Sequence, residues 1–374
     1  MYRAGVIGST GRGHSGHGLD VACVALPGVE TVAVADPDEA GRQDIVARAV
    51  PSGETPGAAR GYADYRDMLA RERLDLVVIA ITWPSGREAI VAACVQAGVK
   101  AIFTEKPFAQ SLDAADRMVA LCDAHGVKLA VAHQNRVRPA PLLARRLVRE
   151  GKVGRLRVVR GYGKQDRRGG GVDLLWLGVH SLDFMRTLGG DARWCHARVV
   201  ANGRDATAAS VHLAEKEGGL VAGDDVVATY GFDAGVTGTF ESTRAEDGGG
   251  TAYLRMELCG TGGILAYSND VDSPVWFCPR PFALPDTPGE WERLEPDAVV
   301  IPAGMKRQHA ANQALVRDLL AAVEDDRPPV SSGHDARAAL EMILAVYESH
   351  RQGRRVALPL AERDHPLARW SAAR

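Results

Sequence analysis

The sequence predicts an α/β protein, a doubly wound parallel sheet followed by an α+β domain whose strands are mainly antiparallel. Two observations carry this. Through the first third of the chain, apolar strand-like runs alternate with helix-like segments, the succession that builds a parallel sheet from βαβ units. From about Arg198 to Pro274 there follow strand-like runs broken by Gly and Asp, such as Val236-Thr237-Gly238-Thr239-Phe240-Glu241, which read as an antiparallel sheet. At 374 residues the chain exceeds one ordinary core, so two domains are expected.

The chain opens with a short apolar strand, Tyr2-Arg3-Ala4-Gly5-Val6-Ile7-Gly8. It runs into the turn Gly8-Ser9-Thr10-Gly11-Arg12-Gly13-His14-Ser15-Gly16-His17-Gly18. Glycines permit positive φ and close approach to a ligand. A helix-like segment, Leu19 to Leu26, would aim free N–H groups at a pyrophosphate. Dinucleotide spacing is imperfect from Gly8, where Thr10 takes the second glycine's place. It is complete from Gly11 through Gly13 to Gly16, but that register lies further from the strand. The next strand, Thr31 to Asp36, ends in an acid about 20 residues past the glycines, where a ribose 2′-OH acceptor belongs. NAD is therefore expected over NADP. Asp36 would repel a 2′-phosphate, and no Arg or Lys stands in the five residues after it.

A helix is expected over Glu39–Val50, a Pro- and Gly-rich loop over Pro51–Gly61, and a short helix over Tyr65–Arg71. Leu74–Ala80 is an apolar run but for Asp75 near its start, as in a strand buried on both faces. Arg87–Gln96 reads as a helix ended by Gly98. Ser111 is expected to cap a helix with Asp113 in its first turn and Gly126 at its end. Val127–His133 is a further strand, and the domain boundary falls near Arg136-Val137-Arg138-Pro139. Beyond it come a helix over Leu142–Glu150 closed by Gly151, a strand from Leu156, helices over Gln308–Glu324 and Asp335–His350, and a last strand near Arg355–Leu358.

Two segments carry chemistry. In Glu105-Lys106-Pro107 the proline stops the strand and biases Lys106 towards an extended backbone, with a cis bond as an option. A lysine is thereby held at the carboxyl end of a strand, where open α/β sheets bind ligands. Alone it would read as a surface ion pair; the glycine turn and Asp36 ahead of it raise its weight. The second segment, Gly169 to Arg186, reads as a helix on which Asp173, Trp176, His180 and Asp183 share one face. Its other faces are mostly Leu, Val, Phe and Met, so it should be buried, and its polar stripe must find partners or line a cavity. For an isolated histidine, a satisfied core residue is the plain reading, with Asp183 paired to Arg186. The polar loop Lys164-Gln165-Asp166-Arg167-Arg168 reads first as a solvated turn and second as a substrate lid.

Composition narrows the function. Hydrophobic content of 46%, charged content of 25% and a net charge of −2 are ordinary for a globular enzyme and give no reason to expect nucleic acid or anionic membrane as a partner. No apolar stretch is long enough to span a bilayer. The N-terminus enters a strand at once, so no signal peptide is expected. The six scattered cysteines, with no Cys-x-x-Cys pair, suit buried thiols in a reducing cytoplasm. No metal-ligand spacing and no serine nucleophile elbow is present.

With the glycine turn, Asp36 and Glu105-Lys106-Pro107 in that order, the chain resembles the Gfo/Idh/MocA family of nicotinamide-dependent sugar and polyol dehydrogenases. Tyr62-Ala63-Asp64-Tyr65, Leu74-Asp75-Leu76-Val77-Val78-Ile79-Ala80, His133-Gln134-Asn135-Arg136 and Gly178-Val179-His180-Ser181-Leu182-Asp183 extend the likeness through most of the chain. The resemblance implies a Rossmann domain (residues 1–136) and an α+β domain with a large, mainly antiparallel open sheet (residues 137–374), which binds substrate and forms a homodimer or homotetramer. It implies that Gly8, Ser9, Thr10, Gly11, Arg12, Gly13, Asp36, Ile81, Trp83, Glu105, Lys106, Pro107, Asn135 and Arg136 border the cofactor. Lys106, Trp176, His180, Asp183 and Lys164 would meet the substrate. His180 maps to the family's usual proton-transfer residue, with Lys106 stabilising the developing alkoxide. The chain departs from the pattern at Trp176, where many members carry an aspartate, and at Ile81-Thr82, in place of the common Thr-Pro. The expected activity is oxidation of a secondary hydroxyl on a sugar, cyclitol or related polyol. One alternative is tightly held NAD, recycled during an elimination, hydrolysis or epimerisation. The other is a non-catalytic sugar-responsive binding protein.

Overall fold

The computed structural model describes residues 1–12, 16–49, 59–214, 218–245, 254–268, 273–281, 290–299, 301 and 306–372. Gly13 and most of the loop expected from Pro51 lie outside them. The chain divides into two compact units. The first holds Met1–Gln134, Glu215–Gly219 and Val300–Arg337; the second holds Asn135–Ala214, Leu220–Val299 and Ala338–Arg374. A single cut after residue 136 does not describe this division, because the chain returns to the first unit after residue 299.

In the first unit, β1 (Tyr2–Ile7), β2 (Val29–Ala35), β3 (Arg60–Tyr62), β4 (Leu76–Ile79), β5 (Ala101–Thr104) and β6 (Lys128–Val131) form one sheet in the order β3-β2-β1-β4-β5-β6. Every pairing is parallel. Helices α1 (Glu39–Arg48), α2 (Tyr65–Arg71), α3 (Arg87–Gln96) and α4 (Leu112–Ala124) join the strands. The order reverses at β1, so β1, β2 and β4 end at a topological switch point, where such sheets bind ligands. Fully buried residues in β4 and β5 account for their unbroken apolar runs.

Two local expectations fail here. The segment after the glycine turn is a short 3₁₀ stretch, Gly16–Val21, and not a helix over Leu19–Leu26. Left-handed backbone at Ala25 (φ 55°) lies inside the expected helix and ends it, because L-residues do not propagate a helix there. Ser111 does occupy the cap position of α4, but its hydroxyl turns to Asp113 and not to the backbone.

In the second unit, α5 (Pro139–Arg149) leads to β7 (Leu156–Tyr162). A helical segment follows as α6 (Gly171–Asp173), a π turn (Leu174–Gly178) and α7 (Val179–Gly189). Then come β8 (Ala192–Ala201), β9 (Arg204–Asp205), β10 (Val211–Leu213), β11 (Leu220–Ala222), β12 (Asp225–Phe232), β13 (Thr237–Thr243), β14 (Met256–Gly260), β15 (Ile264–Tyr267), β16 (Val275–Cys278) and β17 (Glu292–Leu294). After α8 (Arg307–Glu324), which belongs to the first unit, come α9 (Gly333–Gln352), β18 (Val356–Ala357) and α10 (Pro366–Ala372). The ten-stranded sheet runs β17-β16-β15-β14-β7-β13-β12-β8-β18, with β9 paired to β8. Among the described residues, only its β7–β13 pairing is parallel. β12 alternates: Val226, Ala228, Tyr230 and Phe232 are buried, while Val227 stands 55% exposed. The helix α7 lies on the buried face. It comes so close to β7 that a Cβ at Gly161 would stand 2.9 Å from Met185 Cε and 3.1 Å from Ser181 Cβ.

Candidate active site

In the first unit, β1 delivers Gly8 to the sheet's carboxyl edge, where its N–H donates to Ala35 O (2.8 Å). Asp36 follows β2 and is fully buried. Its Oδ2 accepts from Thr10 N (2.9 Å) and its Oδ1 from Asp38 N (2.9 Å). The carboxylate expected to meet a ribose is thus also the anchor of the glycine turn. A Cβ at Gly8 would stand 2.7 Å from Asp36 Oδ2, which excludes a side chain there. The turn itself continues as a 3₁₀ stretch, Thr10–Arg12, whose Gly11 packs beside Asp38. A cavity of about 210 Å³ opens at the ends of β1, β2 and β3, lined by Gly8, Ala35, Pro37, Ala63, Tyr65 and Arg66.

At the end of β5, Glu105 and Lys106 are both buried, and the Lys106–Pro107 bond is cis. Glu105 Oε2 accepts from Lys106 N (3.0 Å), and Oε1 lies 2.9 Å from His17 Nδ1. Burial alone would raise the Glu105 carboxyl, but His17 and Lys106 outweigh it and hold it below the ordinary glutamate range. A chain of hydrogen bonds continues from His17. Asn312 Nδ2 donates to His17 O (3.3 Å), and Gln134 Nε2 donates to Asn312 Oδ1 (3.0 Å). Asn312, on α8, thereby ties the segment after the glycine turn to the end of β6.

Ile81 and Trp83, after β4, are buried. Three hydroxyls near these strand ends, those of Thr10, Thr82 and Thr104, are buried with no hydrogen-bond partner among the described residues. Buried orphan hydroxyls are rare in finished interiors. Those of Thr82 and Thr104, with the side-chain-free approach at Gly8, fit a polar ligand laid along the carboxyl ends of β1, β4 and β5, while that of Thr10 is turned to Gly41 of α1, where a Cβ would collide with it.

In the second unit, Arg136 grips Asp183 in a two-pronged pair, with Nε–Oδ2 and Nη2–Oδ1 both at 2.7 Å. Asp183 is fully buried, and Arg186 stands further off, at 3.9 Å. The pairing expected between Asp183 and Arg186 is therefore secondary to one with Arg136. Asn135 Nδ2 donates to His180 O (3.4 Å), and Asn135 Oδ1 is buried without a partner among the described residues. His180 is buried, with 8% exposure.

The face expected to align Asp173, Trp176, His180 and Asp183 is broken by the π turn, which closes i→i+5 bonds and shifts the phase of what precedes it. Asp173 is fully buried. Its Oδ2 accepts from Lys164 N (2.6 Å) and Ser242 Oγ (2.7 Å), and burial raises its carboxyl above the usual range. Trp176, inside the π turn, is half-buried. Lys164 Nζ pairs with Asp166 Oδ2 (3.1 Å), which Arg168 also holds at 3.0 Å. Burial opposes ionisation of Asp166, but these cations keep its carboxyl well below the ordinary range. The loop expected as a solvated turn is an ion-paired one with its acid buried.

Several residues escaped the sequence reading. His17 was seen only as part of the glycine turn. Arg42 stands just past the five-residue window, with Nη1 donating to Asp36 O (2.6 Å). Arg87 is buried beneath the β4 and β5 turns, yet an arginine opening a helix reads as surface. Asn312 lies far along the chain. None of these carries a periodic or spacing signal.

The fold and the comparisons with known proteins define the class, an oxidoreductase with an NAD-binding Rossmann domain. The family model described as an oxidoreductase family with an NAD-binding Rossmann fold matches residues 2–133, and that of the GFO/IDH/MocA C-terminal domain matches residues 142–266. The chain is 30% identical over 366 residues to D-apiose dehydrogenase of Paraburkholderia graminis, covering 91% of this chain and 86% of that protein. It is 24% identical to scyllo-inositol 2-dehydrogenase (NAD(+)) of Bacillus subtilis, covering 89% of this chain and 90% of that one. An oxidoreductase of Agrobacterium radiobacter, solved with NAD+, L-tartaric acid and magnesium, superposes with a TM-score of 0.73 at 19% identity, covering 95% of this chain and 98% of that one. This chain belongs to the Gfo/Idh/MocA family of oxidoreductases. Among the described residues, no helix is long and apolar enough to cross a membrane.

Proposed function

We propose that this chain is an NAD-dependent dehydrogenase of a secondary hydroxyl on a sugar, cyclitol or related polyol, with NAD preferred to NADP. The observation that carries the reading is Lys106, held buried at the end of β5 beside a carboxylate kept ionised by its neighbours. Relatives that act on apiose and scyllo-inositol support the substrate class. The nicotinamide, when bound, supplies the two-electron acceptor. Gly8, Ser9, Thr10, Gly11, Arg12, Gly13, Asp36, Ile81, Trp83, Glu105 and Pro107 would hold the cofactor, with Asn135 and Arg136 bordering it. His180 takes the hydroxyl proton as general base, and Lys106 stabilises the developing alkoxide. Asn135 orients the His180 backbone, and the Arg136–Asp183 pair steadies α7 one turn further on. Lys164, Trp176 and Asp183 would contact or orient the polyol.

Six buried free thiols support a cytoplasmic setting. Association into a homodimer or homotetramer is assigned to the uncovered face of the ten-stranded sheet, which exposes Val227. The test is a panel of sugars and cyclitols screened for NADH or NADPH fluorescence, with Lys106→Ala and His180→Ala as controls. Both variants should bind NADH and lose turnover. The wild-type rate should rise between pH 5 and 8 as an imidazole loses its proton. A second reading rests on Trp176, where an acid is usual: NAD held tightly and recycled during elimination, hydrolysis or epimerisation. Stoichiometric NAD in the purified protein, with turnover in the absence of added cofactor, would select it.

A further inference from the structure

The Arg87 side chain is 1% exposed, among the largest fully buried side chains of the chain. It starts α3, directly after Gly86, whose φ of 76° puts the helix N-cap in left-handed backbone. Its guanidinium meets four backbone carbonyls and, among the described residues, forms no ion pair with a carboxylate. Nη1 donates to Pro107 O and to Phe108 O (3.0 Å); Nη2 donates to Ile81 O (2.6 Å) and Trp83 O (3.2 Å). Two of these carbonyls belong to the turn after β4 and two to the turn that follows Lys106. The strands end there, so their carbonyls have no ladder partners and need donors from elsewhere. A planar fork of N–H groups can satisfy four at once; an ammonium cannot match that geometry.

The electrostatics agree. Burial pulls the guanidinium down to about 10, opposed by the charge of Glu105, so it remains a cation near neutral pH. A buried cation whose hydrogen bonds all go to carbonyls, with no carboxylate in direct contact among the described residues, is costly to place for packing alone. It makes sense where two turns must be held in fixed relation.

We infer that Arg87 is a positioning residue: it clamps the turn at Ile81–Trp83 to the turn at Pro107–Phe108 and so fixes where Lys106 stands beside the cofactor. This rests on the reading of Lys106 given above. Arg87 touches neither cofactor nor substrate in this scheme and acts through the two turns.

The experiment compares Arg87→Lys, Arg87→Ala and Lys106→Ala in the full-length protein, with thermal unfolding, kcat, KM for NAD and polyol, and the effect of millimolar guanidinium chloride. Arg87→Lys keeps the charge and loses the fork. It should fold, lose at least tenfold in kcat and raise KM for NAD, with KM for the polyol within twofold of wild type. Guanidinium should restore kcat of Arg87→Ala several-fold and leave Lys106→Ala unchanged. If Arg87→Ala does not fold, Arg87→Lys decides. A folded Arg87→Lys with kcat within twofold of wild type overturns the clamp. So does failure of guanidinium to rescue a folded Arg87→Ala, and so does failure of both variants to fold, which would make the arginine a requirement of folding as such. Wild-type turnover in Lys106→Ala would remove the reading of Lys106, and the clamp with it, by a separate measurement.

Discussion

Asp36 holds the glycine turn and is also the residue proposed to meet the cofactor ribose. Both its oxygens already accept backbone N–H groups, from Thr10 and Asp38, while each retains a lone pair for a further donor. Asp36→Ser should therefore weaken NADH binding by at least tenfold and narrow the preference for NADH over NADPH, read by fluorescence titration of both. A loss of affinity with an unchanged preference would show that the residue serves the turn only. Arg42 sits on the Asp36 carbonyl and is the cation nearest in sequence that could meet a 2′-phosphate. Arg42→Ala should lower NADPH affinity more than NADH affinity; equal losses would exclude that role.

The element of most consequence is the helical segment Gly171–Gly189, because its π turn separates two duties. Before the turn, Asp173 faces the β13 residue Ser242 and holds the backbone of Lys164. After it, His180 and Asp183 lie on α7. Asp173→Ala would leave those donors unpaired and should cost about 1–3 kcal/mol in stability. If the loop carries substrate contacts, KM for the polyol should rise as well. An unchanged unfolding midpoint would mean that the hydrogen bonds are replaced by water. Trp176 lies within the π turn and is half-buried, so its truncation should cost less than about 3 kcal/mol, the lower end for a fully buried Trp→Ala change. The larger effect of Trp176→Ala should be on KM or substrate preference. Heavy destabilisation with unaltered kinetics would make the tryptophan purely structural.

At the scale of the whole molecule, the C-terminal helix α10 supplies a pH dependence. His365 precedes it, stacks on Tyr347 at 6.3 Å between ring centres, and accepts from Leu367 N at Nδ1 (3.2 Å). Burial lowers its imidazole, a hydrogen bond with the Leu220 backbone works against that, Arg369 adds to the lowering, and it settles at about 4. The folded protein thus keeps His365 neutral. The unfolded chain takes up the proton below about pH 6.5. Stability from this group is therefore complete above about 6.5 and falls as pH drops towards 4. The thermal midpoint should decrease between pH 7.5 and 5, and His365→Phe should remove part of that decrease. An identical acid dependence in the variant would refute the assignment.

Much of this protein was legible in its sequence. Alternating apolar runs and glycine stops located most elements of the first unit, since local periodicity decides which face of an element can be buried; in the second they marked a series of strands without bounding most of them, and β3 and α10 went unseen. The helices Tyr65–Arg71 and Arg87–Gln96 fall on their expected bounds. Glu105-Lys106-Pro107 and Gly178-Val179-His180 were visible as motifs because their chemistry is local. The 3₁₀ stretch after Gly16 and the π turn at Leu174–Gly178 were not, because each is a small departure in backbone phase that residue type does not encode. The partners were hidden as well. Asp183 took Arg136 over Arg186, Arg87 went beneath two turns, and Asn312 reached His17 across 295 positions. The sequence by itself determined the fold class and most elements of the first unit, and it singled out the candidate side chains. Only the tertiary structure decided which groups hold them in place, because those contacts join segments far apart in the chain and depend on how the buried polar groups are shared out.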